Sequence, residues 1–337
     1  MSFEFQPADR QRLYYEPGAT KVYKFPRGNL YAAMNWLLHL EANVVTGAGQ
    51  NPPDQQIFRA IQNVSLLADG DTIWNLSGEM LAAYFTYRNG VAAAGNSTIP
   101  VTVANNVQAQ HFLHLPFHPM DAKKPEDFMV DTRKHEYELS ITWRDLTAAG
   151  VLFGTHASSG EVTVTDAENY LDIELERLAL RPNPFNGQPD NLSDKTPNVM
   201  GLRETTTNVT ADNTGFSIDI PEFRNYRNLI LWTTHFANTN SEVGENDILN
   251  DKVKIFDTQG HIYQNRRAEV IREDTAQRWG VGSNLFNGIY DLNFIKFGAG
   301  TDPIVSNSTT KLLAEMGVAK QSNETRVRAL FVTQESQ

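Results

Sequence analysis

The two halves of this chain present the same sequence signals in the same order. Each half has a proline after a strand-like segment, then an apolar stretch, a turn glycine, a helix-like segment and a further glycine. These landmarks are Pro26, residues 30–40, Gly70 and Gly90 in the first half, and Pro221, residues 229–236, Gly260 and Gly280 in the second. The period of this repeat, from Pro26 to Pro221, is far longer than the periods of about 20–50 residues found in solenoid proteins. It therefore indicates that one whole domain occurs twice.

Alternation with a period of two predicts that these domains are mainly β. Successive side chains of an extended strand point to opposite faces, so apolar residues at every second position indicate half-buried antiparallel strands. The pattern occurs over residues 135–144, 171–176 and 216–220, and turn sequences such as Asp69-Gly70 lie between the strand-like segments. We therefore expect an all-β fold.

Few segments depart from this pattern. Ser77 fits the N-cap of a helix over residues 77–88, in which apolar and aromatic side chains recur at helical spacing. A second helix is predicted over residues 266–279, at the matching place of the second half, and a short helical piece over residues 9–15. Long loops are expected at residues 46–55 and 91–106.

The composition changes near the middle of the chain. Four prolines lie among polar residues there, and proline removes the backbone donor that a central strand needs, at Pro182, Pro184, Pro189 and Pro197. We therefore predict an N-terminal arm, a first domain, a connector and a second domain, at residues 1–19, 20–180, 181–213 and 214–337, respectively.

Charge and composition exclude several classes of function. The chain of 337 residues carries 29 basic and 40 acidic side chains, a formal charge of −11, and no cysteine. An acidic surface repels phosphate backbones, so no direct contact with nucleic acid is expected. The start of the chain lacks the features of a signal peptide, and the apolar stretch at residues 30–40 is too short to span a membrane. Without cysteine, neither disulfides nor thiolate metal sites can form.

Three histidines lie close together in the sequence, at His111, His114 and His118. Such a group is either a transition-metal site or a set of ordinary strand and interface residues. On a strand, His111 and His114 fall on opposite faces, and Pro116 interrupts the hydrogen-bond ladder before His118. The spacing favours ordinary residues, and we assign no metal ligand.

Asp172, Glu174 and Glu176 alternate along one predicted strand. They are either part of a sugar-hydrolase cleft or the solvated face of that strand. A hydrolase pair usually comes from different strands, so strict alternation favours the solvated face. The chain contains neither a Gly-x-Ser-x-Gly elbow nor a phosphate-binding glycine loop. We therefore assign no catalytic or cofactor-binding residue and predict that the chain is not an enzyme.

The tryptophans form either a carbohydrate-stacking platform or part of the core. Trp36 and Trp232 lie 10 and 11 residues after the repeated prolines. Two copies of a domain are expected to repeat their core positions more readily than two independent binding sites. The matched positions therefore predict that both side chains pack in a core.

The order of these signals resembles the double jelly-roll major capsid proteins of viruses, a family that includes the tectivirus-like and corticovirus-like phages. The similarity is clearest in a Gly-Ile-Tyr strand, a strand ending in small residues and a final strand rich in Arg and Leu, at residues 287–294, 312–318 and 326–332. The resemblance covers most of residues 20–337. It implies two tandem eight-stranded jelly-roll sandwiches with short helices.

The resemblance also implies a function. In this family three chains form a homotrimer whose six sandwiches make a pseudo-hexameric capsomer, and these tiles pack into an icosahedral shell. The chain is therefore expected to be a bacteriophage capsid protein, made in the host cytoplasm and located in the virion. Its expected partners are its own copies, neighbouring trimers, and minor capsid and vertex proteins.

Further expectations concern assembly. The N-terminal segment is either an interfacial anchor on an internal lipid membrane or a strand-paired or disordered arm. Divalent cations such as Ca²⁺ are expected to bridge the acidic trimers, through ligands that the sequence does not identify. The alternative function is a carbohydrate-binding or carbohydrate-processing double β-sandwich, since peptide-N-glycosidase-type enzymes also carry two adjacent jelly rolls.

Overall fold

The computed structural model describes most of the chain. The described residues are 3–44, 54–89, 94–98, 105–119, 122, 127–148, 162–180, 197–222, 224–238, 241–279, 287–294, 304–321 and 324–335. Within them the chain forms β-strands, two α-helices and a few short 3-10 turns. The prediction of an all-β fold with short helices is confirmed.

In the described residues, the first half of the chain contributes eleven strands and one helix. They are β1 (Phe3–Tyr14), β2 (Thr20–Lys24), β3 (Leu30–Val44), β4 (Ile61–Ala68), β5 (Asp71–Leu76), α1 (Gly78–Asn89), β6 (Ala94–Thr98), β7 (Asn105–Pro116), β8 (Val130–Asp131), β9 (Tyr137–Trp143), β10 (Val162–Val164) and β11 (Tyr170–Leu180).

The second half contributes ten strands and one helix, counted in the same way. They are β12 (Val199–Val209), β13 (Asn213–Asp219), β14 (Arg224–Asn238), β15 (Ser241–Gly244), β16 (Leu249–Asp257), β17 (Ile262–Arg267), α2 (Ala268–Trp279), β18 (Ile289–Asn293), β19 (Ile304–Ser306), β20 (Leu312–Val318) and β21 (Thr325–Glu335).

These strands form three sheets. The first has the order β1-β11-β3-β7-β6, with β8 and β10 also pairing β3. The second runs β15-β14-β21-β12-β5-β4-β9-β2, and β18 and β19 also pair β14. The third has the order β13-β20-β16-β17. Each domain is therefore a sandwich of two sheets, and the middle sheet belongs to both domains.

The two domains repeat the same strand pairings. In the first, β1 pairs β11, β11 pairs β3, β3 pairs β7, β2 pairs β9, and β4 pairs both β9 and β5. In the second, β12 pairs β21, β21 pairs β14, β14 pairs β18, β13 pairs β20, and β16 pairs both β20 and β17. The ladders also shift register at the same place, between Tyr31 and Ala33 on β3 and between Tyr226 and Asn228 on β14.

Both helices follow the same hairpin. The helices predicted over residues 77–88 and 266–279 are confirmed as α1 and α2. The hairpin before each turns at Gly70 or Gly260, whose φ angles of 90° and 87° lie in the left-handed region that glycine adopts without strain. Neither helix in the described part of the chain is long and apolar enough to cross a membrane.

The helical piece predicted over residues 9–15 is wrong, because this segment belongs to strand β1. Arg10 and Arg12 point away from the core toward a carboxylate of β11. Leu13 and Tyr15 are buried in the core of the first domain. Such alternation is typical of a strand, so the N-terminal segment is strand-paired, one of the two alternatives left open by the sequence.

Two segments expected to be irregular also contain strands. The predicted connector over residues 181–213 includes β12, while residues 181–196 lie outside the described part of the chain. Most of the loops predicted at 46–55 and 91–106 also lies outside it, but β6 falls within the second of them. The polar β12 sequence is a strand because two neighbouring strands supply its hydrogen bonds, a contact that local sequence does not reveal.

Candidate functional site: the junction between the two domains

Strand β12 joins the two domains into one sheet. It pairs antiparallel with β21 of its own domain. It also pairs in parallel with β5 of the first domain, through Leu202 with Trp74 and Arg203 with Asn75. Trp74 donates from Nε1 to the carbonyl oxygen of Met200 over 2.7 Å. Because backbone and side-chain hydrogen bonds both cross the boundary, the two sandwiches are held in one orientation.

The strands of the second domain at this junction are buried on both faces. On β21, Ala329 and Phe331 belong to the core of the second domain, whereas Leu330 and Val332 pack into the core of the first. Strands covered on both faces have nearly continuous apolar sequences. This double burial explains the apolar run at the end of the chain.

Helix α1 is the element of the first domain that covers this sheet. It is buried from Gly78 to Tyr87, whereas an ordinary surface helix buries a single stripe. The Ser77 hydroxyl accepts a hydrogen bond from the amide of Met80 over 3.2 Å, which confirms the predicted N-cap. At the other end, the Tyr87 hydroxyl donates to Asp291 of β18 over 3.2 Å.

A cluster of buried charges lies beside the N-terminus of α1. Its centre is Arg328 of β21, whose side chain is 5% exposed. The guanidinium lies 3.2 Å from Glu79 of α1, 2.7 Å from Glu204 of β12 and 3.8 Å from Glu242 of β15. Arg59 lies 2.7 Å from the other carboxylate oxygen of Glu79. The cluster thus draws charges from both domains, and we call it the junction ion cluster.

The members of this cluster hold one another in their charged forms. Burial alone would raise the pKa of Glu204, but the charge of Arg328 and hydrogen bonds from Ser77 and Arg328 hold it below its usual value. Burial alone would lower the pKa of Arg328, but Glu204, Glu79 and Glu242 raise it. Removing one charge from such a buried set leaves the others uncompensated, which is strongly destabilising.

Sequence reasoning missed the junction ion cluster. Arg328 directly precedes the apolar run 329–332 of the final strand, and a cation beside such a run indicates a buried partner. Its partners Glu79 and Glu204 are far away in the sequence, so no local pattern could have identified them. Arg328 was therefore the one residue whose sequence context indicated the cluster.

The structure does not bring the three histidines together. His111 is buried on the core face of β7, and His114 lies on the opposite face, as predicted, with Nδ1 2.8 Å from Oδ1 of Asn35. The ring of His118 lies 2.9 Å from Arg88. Burial and the charge of Arg88 lower the pKa of His118 to about 4. Within the described residues, no three metal-binding side chains form a cluster.

The three alternating carboxylates share one face of β11 but differ in exposure. Asp172 is buried and pairs with Arg10 at 2.6 Å and with Arg12 at 2.7 Å, while Glu174 and Glu176 are half-buried. Burial alone would raise the pKa of Asp172, but hydrogen bonds from Arg12 and Arg10 hold it below its usual value. The prediction of a solvated face is therefore wrong for Asp172, because the side chains of Arg10 and Arg12 on β1 cover it.

Trp36 and Trp232 are not equivalent, although the sequence suggested that they were. Trp36 is fully buried in the core of the first domain. The strand registers align it with Leu231, so Trp232 points the other way, into the junction, where the Arg328 guanidinium lies 5.0 Å from its ring. A shift of one residue reverses the face of a strand side chain. Both side chains therefore pack in a core, as predicted, but Trp232 of the second domain packs in the core of the first.

No family model and no curated protein sequence matches the chain. Solved structures do match it over nearly its whole length. The major capsid protein of STIV, the Sulfolobus turreted icosahedral virus, has a TM-score of 0.69 and 13% identity, covering 100% of this chain and 97% of that chain. The major capsid protein P2 from bacteriophage PM2 has a TM-score of 0.59 and 12% identity, covering 100% and 99%.

A third match is the PBCV-1 virus capsid, with a TM-score of 0.61, 12% identity and coverage of 99% of this chain and 94% of that chain. Because viruses of such different kinds match, the expected bacteriophage lineage is not singled out. At identities this low the matches establish the fold rather than the function. The chain has the double jelly-roll fold of these viral major capsid proteins.

Proposed function

We propose that the chain is a viral major capsid protein and assembles as a homotrimer that tiles an icosahedral shell. The observation that carries the proposal is the double jelly roll itself, matched from end to end by capsid proteins of icosahedral viruses. This function is structural and needs no catalytic group.

The junction supports this proposal physically. A tile must keep its two sandwiches in one orientation while it makes contacts on all sides. The shared middle sheet and the junction ion cluster hold that orientation within each chain. Three such chains in a ring present six similar sandwiches, which is the shape of a pseudo-hexagonal tile.

The proposal also includes partners. Neighbouring trimers, minor capsid and vertex proteins and divalent cations between acidic trimers belong to it, as does an internal membrane beneath the shell. The carbohydrate-binding alternative has less support, because its stacking platform is buried: Trp36, Trp74 and Trp143 are fully enclosed and Trp232 is 9% exposed. The side chain of Trp279 is outside the described part of the structure.

Light scattering and negative-stain microscopy of the purified chain test the proposed function. We expect a stable species of three chains, seen as a six-lobed tile. A chain that stays monomeric at every concentration and binds glycans would contradict the proposal.

A further inference from the structure

The second domain has a surface that corresponds to the first-domain side of the junction, but no described part of the chain packs against it. Alignment of the two domains by their strand registers places β17 at the position of β5 and α2 at the position of α1. Glu269 then corresponds to Glu79, and Gln264 to Trp74. By the same alignment, β1 and β11 correspond to β12 and β21.

Two cavities occupy the same place in the two domains. The cavity beside α1, of about 450 Å³, is closed on one side by the second domain through residues such as Glu204 and Arg328. The cavity beside α2, of about 940 Å³, is lined by second-domain residues such as Arg267 and Glu269. In the described part of the chain, the groove at α2 therefore lacks the opposite wall that the groove at α1 has.

Gln264 also lacks a partner at this edge. Its side chain is 5% exposed, yet neither of its polar atoms has a hydrogen-bond partner among the described residues. The corresponding Trp74 bonds across the junction to the carbonyl of Met200. Buried polar side chains are seldom left unpaired. Moreover, among the described strands β17 is the last of its sheet, and none of them pairs with the edge of β17 that corresponds to the β12 edge of β5.

We propose that the β1–β11 face of a second copy of this chain docks on β17 and α2 and repeats the internal junction between chains. The inference rests on the proposed function and identifies the contact that closes the trimer. Like β17, β1 lies at the edge of its sheet among the described strands. It adds in parallel to β17 as β12 adds to β5, which sets Ala8 opposite Asn265 and gives Gln264 a backbone partner.

The exposed charges at the proposed contact are of opposite sign. The groove at α2 carries one more acid than base, in the set Asp247, Asp251, Glu269 and Glu273 against Lys252, Arg267 and Arg272. The most exposed charges of the β1–β11 face are Arg10, 62% exposed, and Arg12, 39% exposed, beside the buried Asp172 and the half-buried Glu174 and Glu176. The exposed guanidiniums of Arg10 and Arg12 thus meet a groove that has an excess of acid, which favours the correct partner.

Exposed apolar side chains mark the same two faces. Phe112 on β7 is 42% exposed, and Ile262 on β17 and Val270 on α2 are 56% and 46% exposed. In the register alignment Phe112 corresponds to Ile289, and Val270 corresponds to Met80. Ile289 and Met80 are both buried in the junction between the two domains of one chain. Docking of a second chain buries the exposed members of each pair in the same way.

Cysteine cross-linking tests the contact, and the chain has no native cysteine to interfere. In the double variant Ala8→Cys with Asn265→Cys, parallel pairing brings the two Cα atoms within disulfide reach in different chains. We expect mild oxidation to convert most of the full-length protein into a disulfide-linked trimer on a non-reducing gel. The control variant, Val22→Cys with Asn265→Cys, keeps one exposed cysteine on the distant edge strand β2 and is expected to stay uncrosslinked.

Light scattering on the same samples before oxidation separates the two proposals. If trimers are present but Ala8→Cys with Asn265→Cys links no better than the control, the contact is overturned and the capsid function stands. If neither trimers nor cross-links form, both proposals fail. Efficient cross-linking specific to the Ala8 and Asn265 pair supports the contact.

Discussion

Helices α1 and α2 occupy the same place in two copies of one fold but have different surroundings. Helix α1 is buried from Gly78 to Tyr87 between the two domains. In α2, Ala268 and Ile271 are buried while Val270 is 46% exposed. The repeat therefore fixes where a helix lies, and the neighbouring domain decides which of its faces must be apolar.

The strands opposite the two helices differ in the same way. Arg328 and Glu204 form a buried pair against α1, whereas their counterparts Asp172 and Arg10 carry the opposite charges on a partly exposed face. The sign of each charge has thus been exchanged between the copies while the pair was kept. Equivalent substitutions in the two copies should consequently have unequal effects.

The largest difference is expected between Arg328→Met and Asp172→Asn. Loss of Arg328 leaves buried carboxylates uncompensated and should lower the free energy of unfolding by about 3–5 kcal/mol. Asp172→Asn removes pairs with exposed arginines and should cost about 1 kcal/mol or less. Urea denaturation at matched protein concentration measures both. Equal losses of unfolding free energy would show that the two clusters contribute equally to stability.

This first comparison has a pH dependence. The depressed pKa of Glu204 contributes stability that is present above its usual value, near 4.5, and is lost as the pH falls below it. In Arg328→Met that depression disappears, so Glu204 can take up a proton at milder acidity. The loss of unfolding free energy relative to the unsubstituted chain should therefore become smaller as the pH falls from 7 to 5. A constant deficit would contradict the assigned role of Glu204.

A smaller difference is expected between Met80→Ala on α1 and Val270→Ala on α2. Met80 is 1% exposed, so its truncation leaves a cavity and should cost about 2–4 kcal/mol. Val270→Ala should change the stability of an isolated chain by less than about 0.5 kcal/mol. Thermal unfolding of both variants checks this. If Val270→Ala were as damaging in a monomer, α2 would be packed like α1.

The smallest difference is expected between Trp74→Phe and Gln264→Leu. Trp74→Phe removes the donor that satisfies the buried carbonyl of Met200 and should cost about 1–3 kcal/mol. Gln264→Leu removes unpaired polar atoms, so the isolated chain should be unchanged or slightly more stable. The same variant should weaken the trimer measured by sedimentation. A loss of chain stability instead would mean that Gln264 already has its partner within the chain.

Local sequence determined a large part of this protein. The repeated landmarks, the alternating strands and the cap at Ser77 are set by residues close to one another in the chain, and they predicted two β domains with one helix each. The His111 and His114 faces followed from the same alternation. A period of two or of 3.6 is a local property and needs no knowledge of the rest of the fold.

Only the tertiary structure decided which faces are buried, and by what. Trp232 is buried because the first domain covers the face of β14 on which it lies, and residues 199–209 form a strand because β5 and β21 flank them. The charge of Arg328 is stable because Glu79 and Glu204 reach it from distant parts of the chain. Burial and charge pairing depend on such long-range contacts, which alternation along a single strand cannot specify.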